Sequence, residues 1–217
     1  MTGSSDTAAQ YALDTAAPPP SETRTATFGM GCFWGPEARF GIRSGVVRTR
    51  VGYAGGTTTE PSYYSLGDHT EVVQVSYDPD ETSYESLLEV FWAHHDPFST
   101  PKRQYRGVAL VADERQRAAA ERTRERLAAR AGREVATRVE SLNGFTLAEA
   151  YHQKHHLRSA PVGDRLLSVG GLDVVDSTVA ARLNGFIAGH GDDDRRAALL
   201  GELDLPPAVL TGLEARL

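Results

Sequence analysis

The chain has 217 residues, 40% of them hydrophobic and 24% charged, the composition of one ordinary globular domain with room for appendages. Its 23 Lys plus Arg against 29 Asp plus Glu give a formal charge of -6, which argues against a polyanionic partner, so no nucleic acid is expected. A single cysteine, Cys32, excludes an internal disulfide and a cysteine zinc finger, and redox chemistry at Cys32 would need a thiol from elsewhere. No stretch approaches the ~20 apolar residues that span a bilayer, and the segment up to Pro20 has neither a basic region nor an apolar run, so no membrane partner and a cytoplasmic location are expected.

Residues 1–23 are rich in Ser, Thr, Ala and Pro, close on Pro18-Pro19-Pro20, and read as a disordered tail. Arg24 to Phe28 reads as a strand, followed by the glycine-bracketed Gly29-Met30-Gly31-Cys32-Phe33-Trp34-Gly35 and a helical pattern through Phe40. Val46 to Tyr53 alternates as a strand, and Gly55-Gly56 opens a long loop holding Pro61, Tyr63 and Tyr64. Glu71 to Tyr77 is a β-branched strand stopped by Asp78-Pro79. Ser83 starts a capped helix whose Leu87, Leu88, Phe91 and Trp92 share one face until Asp96-Pro97.

Tyr105 to Val111 then reads as a strand, Asp113 to about Ala131 as a surface helix, Val135 to Leu142 as a strand and Leu147 to Leu157 as a helix. Helices interspersed among hairpin-like strands predict an α+β fold with a ferredoxin-like split βαβ core over 24–158. Beyond it, 159–217 reads as a helical C-terminal appendage of ~60 residues, near the lower limit of an independent fold. Val174, Val175, Val179, Ala180, Leu183, Phe186 and Ile187 suit one amphipathic helix ending near Gly189. Asp192-Asp193-Asp194 would start a second and Pro206-Pro207 would precede a last.

Cys32 sits where a strand hands over to a helix, and the unpaired N–H groups and positive dipole end of that helix favour a thiolate. Gly31 and Gly35 allow close backbone approach, while Phe33 and Trp34 offer an apolar wall suited to a thioether or methyl group. On residues alone, these aromatics also fit a plain core, and a lone cysteine also fits a small buried hydrophobe.

Six further blocks accompany Gly31-Cys32-Phe33-Trp34-Gly35 in order. They are Val51-Gly52-Tyr53-Ala54-Gly55-Gly56, Pro61-Ser62-Tyr63, His69-Thr70-Glu71-Val72-Val73, Phe91-Trp92-Ala93-His94-His95-Asp96-Pro97, Gln104-Tyr105-Arg106 and Ala148-Glu149-Ala150-Tyr151-His152-Gln153. Together they closely resemble the peptide methionine sulfoxide reductase A family over roughly residues 24–158. The resemblance implies an α/β-roll enzyme that reduces the S epimer of methionine sulfoxide through a Cys sulfenic acid. It assigns Cys32 as nucleophile, Glu71 as acid, and Tyr63 and Tyr105 as hydroxyls holding the sulfoxide oxygen, with Phe33, Trp34 and His69 binding substrate. A thiolate attacks a sulfoxide slowly unless the oxygen is protonated as charge builds on it, so a carboxylic acid kept neutral by an apolar pocket is required.

Departures from the family fall in the substrate loops. The stretch Leu66-Gly67-Asp68-His69-Thr70-Glu71 is several residues shorter, with Asp68 at a glycine position, and Ser99 to Arg103 lacks the family's Asp before Tyr105. The family's C-terminal resolving cysteines have no counterpart, so no cofactor is expected beyond an external thiol such as thioredoxin, glutaredoxin or a low-molecular-weight thiol. These departures predict weaker recognition of peptide-bound substrate, with the C-terminal helices contributing at the pocket rim. The alternative functions are action on a different small sulfoxide or sulfur metabolite, and a non-catalytic methionine-like ligand-binding module. A monomer is expected. Glu149, His152 and His156 on the predicted Leu147–Leu157 helix would form a metal half-site with His155 beside it, but no second element offers ligands, so no metal is expected.

Overall fold

The computed structural model describes residues 11–163 and 172–192, with 194, 197, 198 and 201. Six strands form one sheet: β1 Arg24–Met30, β2 Val46–Ala54, β3 Thr70–Tyr77, β4 Gly107–Val111, β5 Arg138–Ser141 and β6 Phe145–Leu147, in the order β5-β4-β1-β3-β2-β6. All pairings are antiparallel except β4 with β5. The described helices are α1 Ala12–Ala16, α2 Trp34–Gly41, α3 Tyr84–Ala93, α4 Glu114–Ala131, α5 His155–Arg158 and α6 Thr178–Ile187. The order β4-β1-β3-β2, with α2 linking β1 to β2 and α3 lying between β3 and β4, is the expected α+β split βαβ core.

Alternation along the strands decides which side faces the helices. Ala26, Phe28, Val73, Val75, Ala109 and Val111 pack under α2, α3 and α4. Phe28 is the hub, with its ring 4.9 Å from Phe91, 5.5 Å from Phe40 and 6.0 Å from Tyr84. Each such fully buried side chain contributes roughly 1.5–3 kcal/mol. On the opposite face Ala54, Val72, Val108 and Leu110 are covered by Leu142 and Phe145. Ser83 caps α3 through the Ser86 N–H at 3.1 Å, as its sequence predicts, and Asp113 caps α4 through the Gln116 N–H at 2.8 Å.

Three expectations are corrected. Tyr105 lies in a single 3-10 turn, Arg103–Tyr105, and the strand after it starts at Gly107. The helix expected over Leu147 to Leu157 is absent: Phe145–Leu147 pairs with β2, turns follow, and only His155–Arg158 is helical. Lys154 has left-handed backbone (φ 50°), which interrupts any helix, and long-range bonds to the neighbouring side chains hold the turn. Gln153 exchanges hydrogen bonds with the Val51 N–H (3.0 Å) and carbonyl (2.9 Å), while Lys154 N donates to Glu37 (2.8 Å) and its ammonium pairs with Glu37 at 3.0 Å, both side chains fully buried.

The third correction concerns the tail. Of that segment, 11–23 is described, and Ala12–Ala16 is helical with Tyr11 buried against α6. Asp14 accepts from the Ser177 hydroxyl (2.7 Å) and from the Val179 N–H (3.1 Å). A short polar segment is ordered here by a partner more than 160 residues away, which its own composition does not reveal.

The described part of the C-terminal segment packs behind α2. A Cβ on Gly41 would strike the Ala181 carbonyl, and one on Gly185 would lie 2.6 Å from the Ala38 carbonyl, so glycine lets the two helix backbones approach. Arg182 donates to the carbonyls of Gly41 and Val46, and Thr178 donates to the Val47 carbonyl at 2.6 Å. Val174 and Val175 precede α6, whose cap is Ser177, and α6 closes at Ala188 as the pattern predicts. The helices expected around Asp193 and after Pro206-Pro207 lie outside the described residues.

Candidate active site

β1 delivers the chain to Gly31, whose φ of 88° turns it out of the strand, and Cys32 stands exposed just before α2. Glu71, the second residue of β3, is 1% exposed and pairs across the sheet with Tyr53. Its carboxyl accepts from the Phe33 N–H at 3.2 Å and from Gln104 Nε2 at 2.8 Å. Burial pushes the Glu71 carboxyl up, and these two bonds only partly oppose it. Burial also pushes the Cys32 thiol up, an N–H from Trp34 pulls it down, and Glu71's negative charge pushes it up again. Neutral Glu71 is thus the state that favours a Cys32 thiolate, so a protonated Glu71 and an ionised Cys32 are mutually compatible.

The apolar wall is built from both ends of the core domain. Phe33 is buried, 6.0 Å from the Tyr53 ring and edge-on to His152 at 5.1 Å. Trp34 stacks on His155 with ring centroids 3.6 Å apart and donates from Nε1 to His152 Nδ1 at 3.2 Å. Nδ1 of His152 is therefore the acceptor, and its neutral ring carries hydrogen on Nε2, 3.7 Å from Glu149 Oε2. Burial lowers the His152 pKa, which keeps the ring neutral.

Glu149 fastens the tyrosine loop. It accepts from the Tyr63 N–H at 2.9 Å and from the Tyr53 hydroxyl at 2.8 Å. Burial pushes its carboxyl up, but hydrogen bonds from Tyr63, its own N–H and Tyr53 outweigh that and leave it lowered. Tyr63 is partly exposed with its ring 4.9 Å from His152, and Tyr64 beside it is 91% exposed. Tyr105 is half-buried; its pKa is raised by burial and then by Glu71, Tyr63 and Cys32, all close enough to act on it.

The shortened loop before Glu71 has its own clamp. Asp68 accepts from the N–H groups of Thr57 (2.8 Å) and Thr58 (3.0 Å) and from both hydroxyls, bonds that hold its carboxyl below the ordinary range. His69 is buried with Nε2 2.8 Å from the Thr58 carbonyl. Arg103 ties the same loops by donating to the carbonyls of Asp68 and Gly55.

Cys32, Glu71, Tyr63, Tyr105, Phe33 and Trp34 are thus brought to one end of the sheet, whereas His69 is bonded into the 56–58 loop. Glu149, His152 and His156 do not share a helix face, because only His156 of the three is in α5. Sequence reasoning assigned no role to Gln104 or Tyr53 and weighed Glu149 only as part of a metal half-site. Adjacency of Gln104 to Tyr105 was the available signal for the first, while the bonds of Glu149 span 86 and 96 residues and leave no local trace.

Comparisons with known proteins bear on the family and the fold. The family model for peptide methionine sulfoxide reductase matches residues 24–168. A peptide methionine sulfoxide reductase of Drosophila melanogaster is 42% identical over 186 residues, covering 84% of this chain and 76% of its own. That likeness is longer than the family match and so reaches into the flanking segments. MsrA of Salinispora arenicola is 44% identical over 154 residues, 64% of this chain and 70% of its own. Among solved structures, methionine sulfoxide reductase A of Corynebacterium diphtheriae superposes with a TM-score of 0.58 at 30% identity, covering 70% of this chain and 82% of that one. Reduced Mxr1 of Saccharomyces cerevisiae gives 0.58 at 28% identity, covering 62% and 84%. The protein is an oxidoreductase acting on peptide methionine sulfoxide, and the chain belongs to the peptide methionine sulfoxide reductase A family.

Proposed function

We propose that Cys32 attacks the sulfur of an S-epimer methionine sulfoxide residue while Glu71 gives its proton to the sulfoxide oxygen. The Cys32 sulfur bonds to the substrate sulfur and the S–O bond breaks. The S–S bond just formed then breaks as methionine leaves, with the oxygen ending on Cys32 as a sulfenic acid, the thiol being oxidised by two electrons as the sulfoxide is reduced. The observation that carries this reading is the buried Glu71, raised by burial and held between Phe33 and Gln104 beside Cys32. Tyr63 and Tyr105 share the oxygen, and Phe33 and Trp34 receive the methyl group. A lone cysteine cannot form an internal disulfide, so an external thiol attacks the sulfenic acid, releases water and leaves as a disulfide after a second thiol arrives.

The substrate is peptide-borne. Supporting this against the expectation of weak peptide recognition, the relatives that the chain matches are peptide methionine sulfoxide reductases, and the pocket mouth carries the exposed rings of Tyr63, Tyr64 and Tyr151. An epimer-resolved assay of blocked, peptide-bound and non-methionine sulfoxides with dithiothreitol tests the proposal. Consumption of only the S epimer, with peptides turned over best, is the expected result. Equal use of both epimers, or turnover confined to non-methionine sulfoxides, overturns it.

A further inference from the structure

Beside the active site, the segment 99–103, the start of β4, α4 and the approach to β5 enclose a cleft of about 770 Å³ that no step above uses. Four arginines line it, Arg103, Arg106, Arg124 and Arg138, against two glutamates, Glu134 and Glu140. Arg106 grips Glu140 with two bonds of 2.8 Å, and Arg138 lies 3.7 Å from the same carboxylate. Arg103 bonds only to backbone carbonyls, and Arg124 has no hydrogen-bond or ion-pair partner among the described residues. Positive charge is therefore in excess here, in a chain whose net charge is -6.

The cleft also runs along a strand edge. Among the described residues β5 closes the sheet order with β4 as its single strand neighbour, so no described strand pairs with its outer edge, the kind of edge to which an extended chain can add. The volume falls in the range of about 300–1,000 Å³ that suits small ligands and short peptide segments. Distance fits too. Gly107, on the cleft, is the antiparallel partner of Met30, two residues before Cys32. Antiparallel partners stand about 5 Å apart and two residues span at most about 7 Å, so about three to four extended residues bridge from Cys32 to the cleft. The turn Arg103–Tyr105 joins the two places: Arg103 lines the cleft, Gln104 bonds Glu71, and Tyr105 faces the reacting groups.

We propose that this cleft binds an extended acidic segment of the polypeptide that carries the methionine sulfoxide, an inference that rests on the peptide-reductase reading above. Carboxylates of the segment pair with Arg103, Arg124 and Arg138 while its backbone follows β5.

The test begins with fluorescein-labelled hexapeptides without methionine, one rich in Asp and Glu, one in Ser and Gly and one in Lys, followed by anisotropy with the full chain. The acidic peptide binds at least about tenfold more tightly than the neutral one, added salt weakens it, and Arg124→Glu with Arg138→Glu abolishes the difference. Arg138→Lys retains most of it, which separates charge from misfolding. In turnover, kcat/KM for a methionine sulfoxide peptide with acidic neighbours exceeds that for neutral neighbours, and the ratio falls about tenfold in Arg138→Glu. No preference for acidic peptide in either measurement overturns the cleft proposal, while sulfoxide turnover still upholds the reductase reading. Binding of the acidic peptide without turnover of any sulfoxide overturns the reductase reading and this inference's substrate, leaving only an anionic site. Displacement of the peptide by inorganic phosphate at equal concentration marks a small-anion site and also overturns it.

Discussion

Gln104 reaches from the turn before β4 to donate 2.8 Å to Glu71, so the residue next to Tyr105 also holds this buried carboxyl. That bond lowers the Glu71 pKa against the larger effect of burial. Replacing Gln104 with Met should raise the Glu71 pKa further and move the alkaline limb of kcat/KM to higher pH. An unmoved limb would show that Gln104 does not set the acid.

Glu71→Gln should lower the chemical rate roughly 10²–10⁴-fold with a smaller change in KM, and the limb assigned to Glu71 should vanish from the pH profile. Stability should change in the opposite sense. A carboxyl raised on folding stabilises the fold fully below its unfolded pKa and loses that contribution as pH rises through the folded pKa. At neutral pH and above, Glu71→Gln should therefore unfold at higher urea concentration than the parent, with the gap closing on acidification. Equal urea midpoints from pH 4 to 9 would contradict the burial account.

Cys32→Ser should abolish turnover, since a serine alkoxide is scarcely populated and forms no sulfenic acid. The parent, mixed with substrate and no thiol, should yield one product per site and a sulfenic acid trapped by a 1,3-dicarbonyl reagent. More product per site in mass-spectrometric counting would refute single-cysteine chemistry.

Tyr63→Phe and Tyr105→Phe should each cost less than Glu71→Gln in kcat, because each hydroxyl partly covers for the other. A loss from either variant about tenfold greater than from Glu71→Gln would transfer the acid role to that tyrosine.

Lys154→Met leaves Glu37 buried without its countercharge and should destabilise by about 3–5 kcal/mol. Lys154→Met with Glu37→Leu should recover much of that. Urea midpoints of the two variants decide it, and no recovery in the double variant would place the loss in packing around the left-handed Lys154 backbone instead.

Local signals carried most of the core. β-branched runs, Ser83, Asp113 and the Gly31 to Gly35 junction each act within a few residues of themselves, and the strands and helices they imply are present. Where the reading failed, a distant partner overrode local pattern. Apolar spacing over Leu147 to Leu157 fits a helix, but Gln153 and Lys154 are tied to Val51 and Glu37 more than 100 residues away. Tyr11 has no local reason for burial and finds one in α6. The residues proposed to react are legible because motifs cluster around them. The bonds that orient them, from Gln104 to Glu71 and from Glu149 to the Tyr63 loop, join separate motifs and are visible only once the sheet brings them together.

The close seat of α6 on α2 bears on how small this enzyme can be made. Cys32 leads into α2, and the back of α2 is a glycine and alanine surface shaped to another backbone, with Gly41 and Ala38 meeting Ala181 and Gly185. Trimming the chain to its family core would bare that surface and remove the Arg182 bonds to Gly41 and Val46. A minimal reductase built from this sequence must therefore keep α6, or refill the groove with larger side chains on α2.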